Sequence, residues 1–375
     1  MHRLYKIKDY NFRLVLWLLA LSVLGVLLVG SAESSLQSRQ LMGVVIGIIC
    51  MVTLSLLDYS WLLNFHWIMY GLNLLILIAV RLVGDDGGGA TRWIEIAGIR
   101  FQPTELTKIV VILFFAKFFM DNEEVLNKPK TILKAILLLA LPLTLVFVQP
   151  DLKNTITILA LFCILYYVAG LSYKIIGGVL LAVIPILAIF LAIIVQPDQK
   201  LIEPYQRQRI MSWLEPDNEI YQDDVTQQKN SITAVGSGQL TGKGLNNNEV
   251  SSANKGNFVS QIHTDFIFAV AGEELGFVGC CSIIILLLLI NLECILMSIK
   301  AKDLAGKIIC CGVATIVSLQ SFINICVATG LMPNTGTPLP FLSYGLTSLV
   351  SLFIGMGVVL NVGLQSRINI KGERL

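Results

Sequence analysis

Apolar residues in this chain come in long unbroken runs, with neither the alternation of a strand nor the one-sided stripe of a surface helix. Breaking the runs at charges, Gly/Pro clusters and polar loops leaves ten segments. They lie at roughly 13–31, 40–58, 61–83, 103–120, 131–148, 151–170, 173–195, 264–295, 306–330 and 345–363, most long enough for the ~18 residues or more that read as a bilayer crossing. The pattern predicts an all-α, polytopic integral membrane protein with about ten transmembrane helices. The first run follows basic residues and precedes Gly30-Ser31-Ala32, as a signal peptide would. It is longer than a typical signal core and nine runs follow it, so it reads as a retained helix.

Composition agrees. Of 375 residues, 55% are hydrophobic and 14% charged, against roughly a quarter charged in soluble domains. Mean hydropathy is +0.76. Too few polar residues remain to cover a water-facing surface, which excludes a soluble enzyme, a secreted disulfide scaffold and a disordered protein. The 27 basic and 25 acidic residues form no basic stripe, so no nucleic acid is expected as a partner. The eight cysteines sit in or at the ends of apolar runs without a CxxC pair, and there are three histidines. Core-filling or lipid-facing side chains are expected, not a zinc site.

An even number of spans puts both termini on one side, and the distribution of cations selects it. Arg3, Lys6, Lys8, Arg13, the lysines of 128–134, Lys174, the lysines of 300–307, Arg367, Lys371 and Arg374 fall in one set of connections. The short loops of the other set hold Arg39, Arg92 and Arg100. Both termini are therefore expected in the cytoplasm, with 84–101, 197–262 and 331–344 outside. Residues 1–375 read as a single transmembrane domain, and 197–262 as a long extracellular loop between the seventh and eighth helices. That loop has 66 residues with eight acids and six bases. Tyr205, Trp213, Tyr221 and Phe258 are spaced through it, which predicts partial order in short amphipathic pieces.

Ionisable groups in hydrocarbon cost at least ~2.5–3.5 kcal/mol on insertion scales, so each one there is a functional candidate. In Phe101-Gln102-Pro103-Thr104-Glu105-Leu106-Thr107-Lys108, Pro103 opens a helix and Glu105 lies in its first turn. Lys108, three residues on, shares the face of Glu105. The two form either an internal ion pair or the charged lining of a polar cavity. Gln149-Pro150-Asp151 repeats the pattern at the sixth span, as a helix start or a second polar site. Gln196-Pro197-Asp198 reads as a helix stop. In His263-Thr264-Asp265-Phe266, the long loop feeds the eighth span, and Asp265 with polar neighbours can serve as a general base or as a cap. Gly236–Gly244 resembles a phosphate loop but lacks the first Gly and the final Ser/Thr of that motif, leaving at most a backbone nest for some other phosphate. The Pro/Gly-rich stretch 331–345 predicts a stiff re-entrant loop. It brings the Ser343 and Tyr344 hydroxyls to the tenth span, for packing or for cavity lining.

With these stretches in family order, together with Tyr205-Gln206-Arg207-Gln208-Arg209 and Pro338-Leu339-Pro340-Phe341-Leu342-Ser343-Tyr344-Gly345, the chain resembles the SEDS family of shape, elongation, division and sporulation proteins. Its branches are RodA, FtsW and SpoVE; length and the short N-terminus lean to the RodA type. The resemblance implies a peptidoglycan glycosyltransferase of the bacterial cytoplasmic membrane, polymerising lipid II on the outer face beside a class B penicillin-binding protein. It implies Asp265 as the essential acid, with Glu105, Lys108 and Asp151 as further site residues. Two departures stand out: Lys153-Asn154 where Gly-Thr is usual, and Leu346 where a second Gly is usual.

The implied reaction inverts an α-linked lipid diphosphate donor to a β-linked glycan. It needs a base, Asp265, and positive charge on the leaving diphosphate. Lys108 and Arg100 are candidates for that charge, with Gln149, Asp151, His263, Thr264, Ser343 and Tyr344 expected to contact substrate. A divalent cation such as Mg2+ held by carboxylates is a chemical alternative that no motif demonstrates, so the metal ligands stay unassigned. A flippase for the lipid-linked precursor would use intramembrane Glu and Lys equally well, although the chain halves show no clear inverted repeat. A non-catalytic scaffold for the penicillin-binding protein is the third reading.

Overall fold

A computed structural model describes residues 9–86, 91–96, 99–196, 199, 202–246 and 262–365. Helices cover all ten predicted segments. In chain order the helices are α1 (Phe12–Ala32), α2 (Ser34–Leu56), α3 (Tyr59–Leu63), α4 (His66–Val83), α5 (Pro103–Asp121), α6 (Pro129–Val148) and α7 (Leu152–Ala169). They continue with α8 (Tyr173–Val195), α9 (Pro204–Leu214), α10 (Gln222–Ser237), α11 (Ile267–Lys300), α12 (Leu304–Ala328) and α13 (Leu346–Leu364). Among the described residues, seven of these, α1, α2, α6, α7, α11, α12 and α13, are long and apolar enough to cross a membrane. Helix α5 reads as less apolar because it carries Glu105, Lys108, Lys117 and Asp121. The terminal cations Arg3, Lys6, Lys8, Arg367, Lys371 and Arg374 lie outside the described residues, as do Phe258 and the Pro197-Asp198 pair.

The connections sort to two ends of the bundle as their cations predict. At one end, Lys302 donates to Ser60 (2.7 Å) and Tyr59 to Asp303 (2.9 Å), tying the α2–α4 and α11–α12 connections together. At the other end lie α9, α10, the 262–266 turn and the 331–345 loop. Two parts of the long loop are thus helical, in line with its interspersed aromatics. The 84–101 segment differs from the all-α expectation. It carries a small antiparallel sheet, β1 (Asp85–Asp86), β2 (Thr91–Ile96) and β3 (Ile99–Phe101), with Glu95 opposite Arg100. The short polar–apolar alternation of Thr91–Ile96 was hidden by a reading scaled to membrane-length runs.

Helix α11 is two helical pieces, not one clean span starting at 264. Gly276 breaks it with φ +66° and ψ −164°, a backbone that side chains rarely adopt. The glycine-rich run after α10 wraps that break. Lys243 N–H donates to Glu273 C=O (3.0 Å), Gly244 N–H to Glu274 C=O (2.9 Å) and Phe277 N–H to Gln239 C=O (2.8 Å). With Lys243 also paired to Glu273 at 2.9 Å, these amides are committed inside the protein. The run is a clasp on a broken helix, which corrects its reading as a phosphate nest.

The re-entrant loop enters as expected. A Cβ at Gly25, mid-way along α1, would lie 2.6 Å from the Phe341 carbonyl oxygen, so the loop backbone reaches well down the bundle beside α1. Phe341 and Leu342 are buried there. Helix α2 packs broadly on α13, where the Gly47 position meets the Phe353 ring.

Candidate active site

The turn 262–266 carries Asp265 between the long loop and α11. Three neighbours fix its main chain. Asn324 of α12 donates its amide to both Asp265 C=O and Thr337 C=O at 2.8 Å. The Ser343 hydroxyl donates to Thr264 C=O (2.6 Å) while accepting from Leu339 N–H (2.7 Å). Tyr344 N–H donates to His263 C=O (2.9 Å), and the two rings meet edge to face with centroids 5.8 Å apart. The re-entrant loop is therefore a brace for the Asp265 turn. Ser343 serves it by hydrogen bonding, Tyr344 by its backbone and ring. Burial holds the His263 imidazole below its ordinary range, against the opposing pull of the Glu33 and Asp265 carboxylates.

The Asp265 carboxylate itself has a different environment. It is partly exposed and makes no hydrogen bond or ion pair among the described residues. The point where a Gly336 Cβ would sit lies 3.3 Å from Asp265 Oδ2, 3.2 Å from an Arg209 guanidinium nitrogen and 3.8 Å from Lys153 Nζ. One acid and two cations thus converge on the re-entrant loop. Lys153 Nζ donates to the Gly336 carbonyl. Beside them opens a cavity of about 810 Å³ between α7, α8 and α9, lined by Arg92, Lys153, Arg209 and apolar side chains such as Leu152, Ile156 and Leu331. Arg92 is held by the Tyr205 hydroxyl and lies over its ring. Tyr205 in turn donates to the Pro150 carbonyl (2.7 Å), which anchors α9 on the start of α7.

The other expected residues form a second, buried group. Lys108 donates to Glu105 Oε1 at 2.9 Å and to Asn154 Oδ1 at 3.3 Å. Asp151 is the N-cap of α7, accepting from Asn154 N–H at 3.3 Å, with Gln102 (3.0 Å) and the Asn154 amide (2.8 Å) on its other oxygen. Gln149 donates to Leu77 C=O (2.8 Å). All of these are buried and none lines the cavity. Of the two arrangements left open by the sequence, Lys108 adopts the internal ion pair, in a knot between α5 and α7. Arg100 is exposed on β3. The residues that reasoning from the sequence missed are Lys153, Arg209, Arg92 and Asn324. Arg209 lay in a motif already quoted for the resemblance, and Lys153 stood out only as a departure from it.

Among the described residues no three His, Cys, Asp or Glu side chains gather as metal ligands. Glu105 and Asp151 are spent on Lys108 and on the α7 cap.

The comparisons agree with this architecture. The family described as cell cycle protein, FtsW/RodA/SpoVE, matches residues 10–368. Peptidoglycan glycosyltransferase MrdB of Escherichia coli K12 is 32% identical over 356 residues, covering 93% of this chain and 92% of that protein. A probable peptidoglycan glycosyltransferase FtsW of Geobacter metallireducens is 31% identical over 381 residues, covering 97% of each. Among solved structures, a chain of a peptidoglycan synthase complex that coordinates polymerization and crosslinking superposes with a TM-score of 0.77 at 27% identity, covering 94% of this chain and 97% of that one. RodA of Thermus thermophilus does so with a TM-score of 0.71 at 25% identity, covering 96% and 98%. With a re-entrant loop braced under Asp265 and a family match over residues 10–368, this multi-pass membrane protein belongs to the FtsW/RodA/SpoVE family.

Proposed function

We propose that this chain is a peptidoglycan glycosyltransferase that polymerises lipid II into glycan strands for cell elongation or division. The reaction takes place at the Asp265 end of the bundle, which the cation distribution assigns to the outer face of the bacterial cytoplasmic membrane, with both termini inside. The acceptor sugar 4-hydroxyl attacks the anomeric carbon of the donor. Its proton passes to the Asp265 carboxylate, the bond from the anomeric carbon to the diphosphate oxygen breaks, and the lipid diphosphate leaves. The α-linked donor becomes a β-linked product.

The observation that carries this reading is the state of Asp265. Its main chain is pinned from three sides, while its carboxylate is unpaired among the described residues and beside a cavity with an apolar wall and a cationic head. A base must be both positioned and free to accept a proton, and the pinned turn with a carboxylate unpaired among the described residues supports that role for Asp265. A flippase reading loses its main support, because the intramembrane Glu105 and Lys108 are locked to each other. The likeness to a chain from a complex that couples polymerization to crosslinking supports a crosslinking transpeptidase, a class B penicillin-binding protein, as partner.

The test is incubation of the purified protein, alone and with such a partner, with lipid II, followed by separation of the products by size. Glycan strands dependent on this chain are the expected result. Strands that form equally without it would leave a scaffold role.

A further inference from the structure

Lys153 and Arg209 form no ion pair among the described residues, although the Asp265 carboxylate shares their meeting point and Glu105 lies within electrostatic reach of Lys153. Arg209 makes no side-chain hydrogen bond or ion pair among the described residues, and Lys153 Nζ has the neutral Gly336 carbonyl as its partner. Both lie within 4 Å of the same point on the re-entrant loop and both line the 810 Å³ cavity. Among the described residues no carboxylate lines that cavity, whereas Leu152, Ile156, Ile210 and Leu331 do. At this point the two cations outnumber the single Asp265 carboxylate, which leaves net positive charge beside an apolar wall that a further anion would offset. Lys153 also occupies the first turn of α7, where the helix dipole favours negative charge. The ligand that satisfies all of this is an amphiphile with a multiply charged anionic head and a long apolar tail.

We propose that Lys153 and Arg209 form a clamp for the diphosphate of the lipid-linked sugar donor, with the proximal lipid tail lying along the apolar wall of the cavity. This rests on the glycosyltransferase reading and names the group that takes the leaving charge. As the anomeric bond breaks, its electron pair goes to the diphosphate oxygen, and the new negative charge develops between the ammonium and the guanidinium. The proton lost by the acceptor goes to Asp265, so nothing outside the site is consumed.

Lys153 could instead be a plain strut between α7 and the re-entrant loop, and two substitutions separate the roles. Lys153→Gln keeps an N–H donor for the Gly336 carbonyl but loses the charge; Lys153→Arg keeps the charge. The clamp requires that Lys153→Gln raise KM for lipid II about tenfold and weaken inhibition by inorganic pyrophosphate by a similar factor, with Lys153→Arg close to wild type. A change in melting temperature or kcat with pyrophosphate inhibition unaltered overturns it. Pyrophosphate-induced thermal stabilisation of Asp265→Asn protein reads binding without turnover. Lys153→Gln, or Arg209→Gln if the former does not fold, should abolish that stabilisation. A chain that makes no glycan yet shows this loss keeps the clamp and loses the polymerase reading. An Asp265→Asn protein that pyrophosphate does not stabilise removes the clamp.

Discussion

Glu105 and Lys108 meet at 2.9 Å inside α5 with 3% and 1% of their surfaces exposed, and Asn154 of α7 completes the ammonium's environment. Removing one partner strands a charge away from water, which costs ~3–5 kcal/mol. Glu105→Ala and Lys108→Ala should each lower the melting temperature in detergent sharply and reduce polymerisation through loss of folded protein. The double substitution Glu105→Gln/Lys108→Met removes both charges and should recover much of the stability. Single variants that melt like wild type would show the knot to be incidental.

Asp265→Asn should leave expression and melting temperature near wild type, because the turn is held through main-chain carbonyls and not through the carboxylate. Polymerisation should fall by ~10²–10⁴, the usual contribution of a general base. Asp265→Glu moves the charge by about one carbon–carbon bond and should also be severely impaired, since a misplaced base loses much of its effect. Near wild-type turnover by the Asn variant would remove Asp265 from the chemistry.

Glu273 would be a tempting silent control for Asp265, but the structure argues against that use. It is buried and holds Lys243 of the glycine clasp at 2.9 Å. Glu273→Gln should therefore depress thermal stability while leaving turnover per folded molecule nearly intact. Gly276→Ala strikes the same clasp harder. Its Cβ would fall 2.3 Å from Gly242 N, on a backbone at φ +66°. A loss of ~1–3 kcal/mol or more is expected, read as a lower melting point and looser proteolytic protection around 236–246.

The sidedness of the bundle can be read with an impermeant thiol reagent in intact cells, in a background freed of the native cysteines. Lys229 on α10 and Lys300 at the end of α11 are both exposed and lie at opposite ends. Lys229→Cys should label and Lys300→Cys should not. Lys302 is a poor probe because it is tied to Ser60 and Gln365. Labelling at position 300 would invert the topology and put Asp265 on the wrong face for lipid II.

The helices were legible because a bilayer imposes one crude requirement, length of apolar run, and the sequence states it plainly. Asp265 was legible from its place where a long polar loop meets a span. The α5–α7 knot was half legible. Spacing predicted that Glu105 and Lys108 share a face, but not that Asn154, 46 residues away, would close the ammonium off from the cavity. Arg209 and Lys153 were harder still, since an arginine on a polar helix and a lysine in a first turn carry no spacing signal. What makes them interesting is convergence on Gly336, a contact between segments more than 100 residues apart. The clasp around Gly276 was misread for a similar reason. Glycines that receive a phosphate and glycines that receive a neighbouring backbone look alike until the neighbour is seen.

The meeting of Gly25 with Phe341 and Leu342 sets an order of events during synthesis. Helix α1 leaves the ribosome with a notch that is filled only by residues more than 300 positions further along the chain. Helix α2 waits just as long for α13, and Gln40 for the Ser343 carbonyl it donates to at 3.2 Å. The N-terminal hairpin must therefore sit in lipid as an unfinished surface until the last helix arrives and locks it. A chain cut after α12 would lose more than one helix: the brace under Asp265 would have nothing to close on. Assembly of the Asp265 end thus waits on α13, and a chain that stops short of it should lose polymerisation together with the brace.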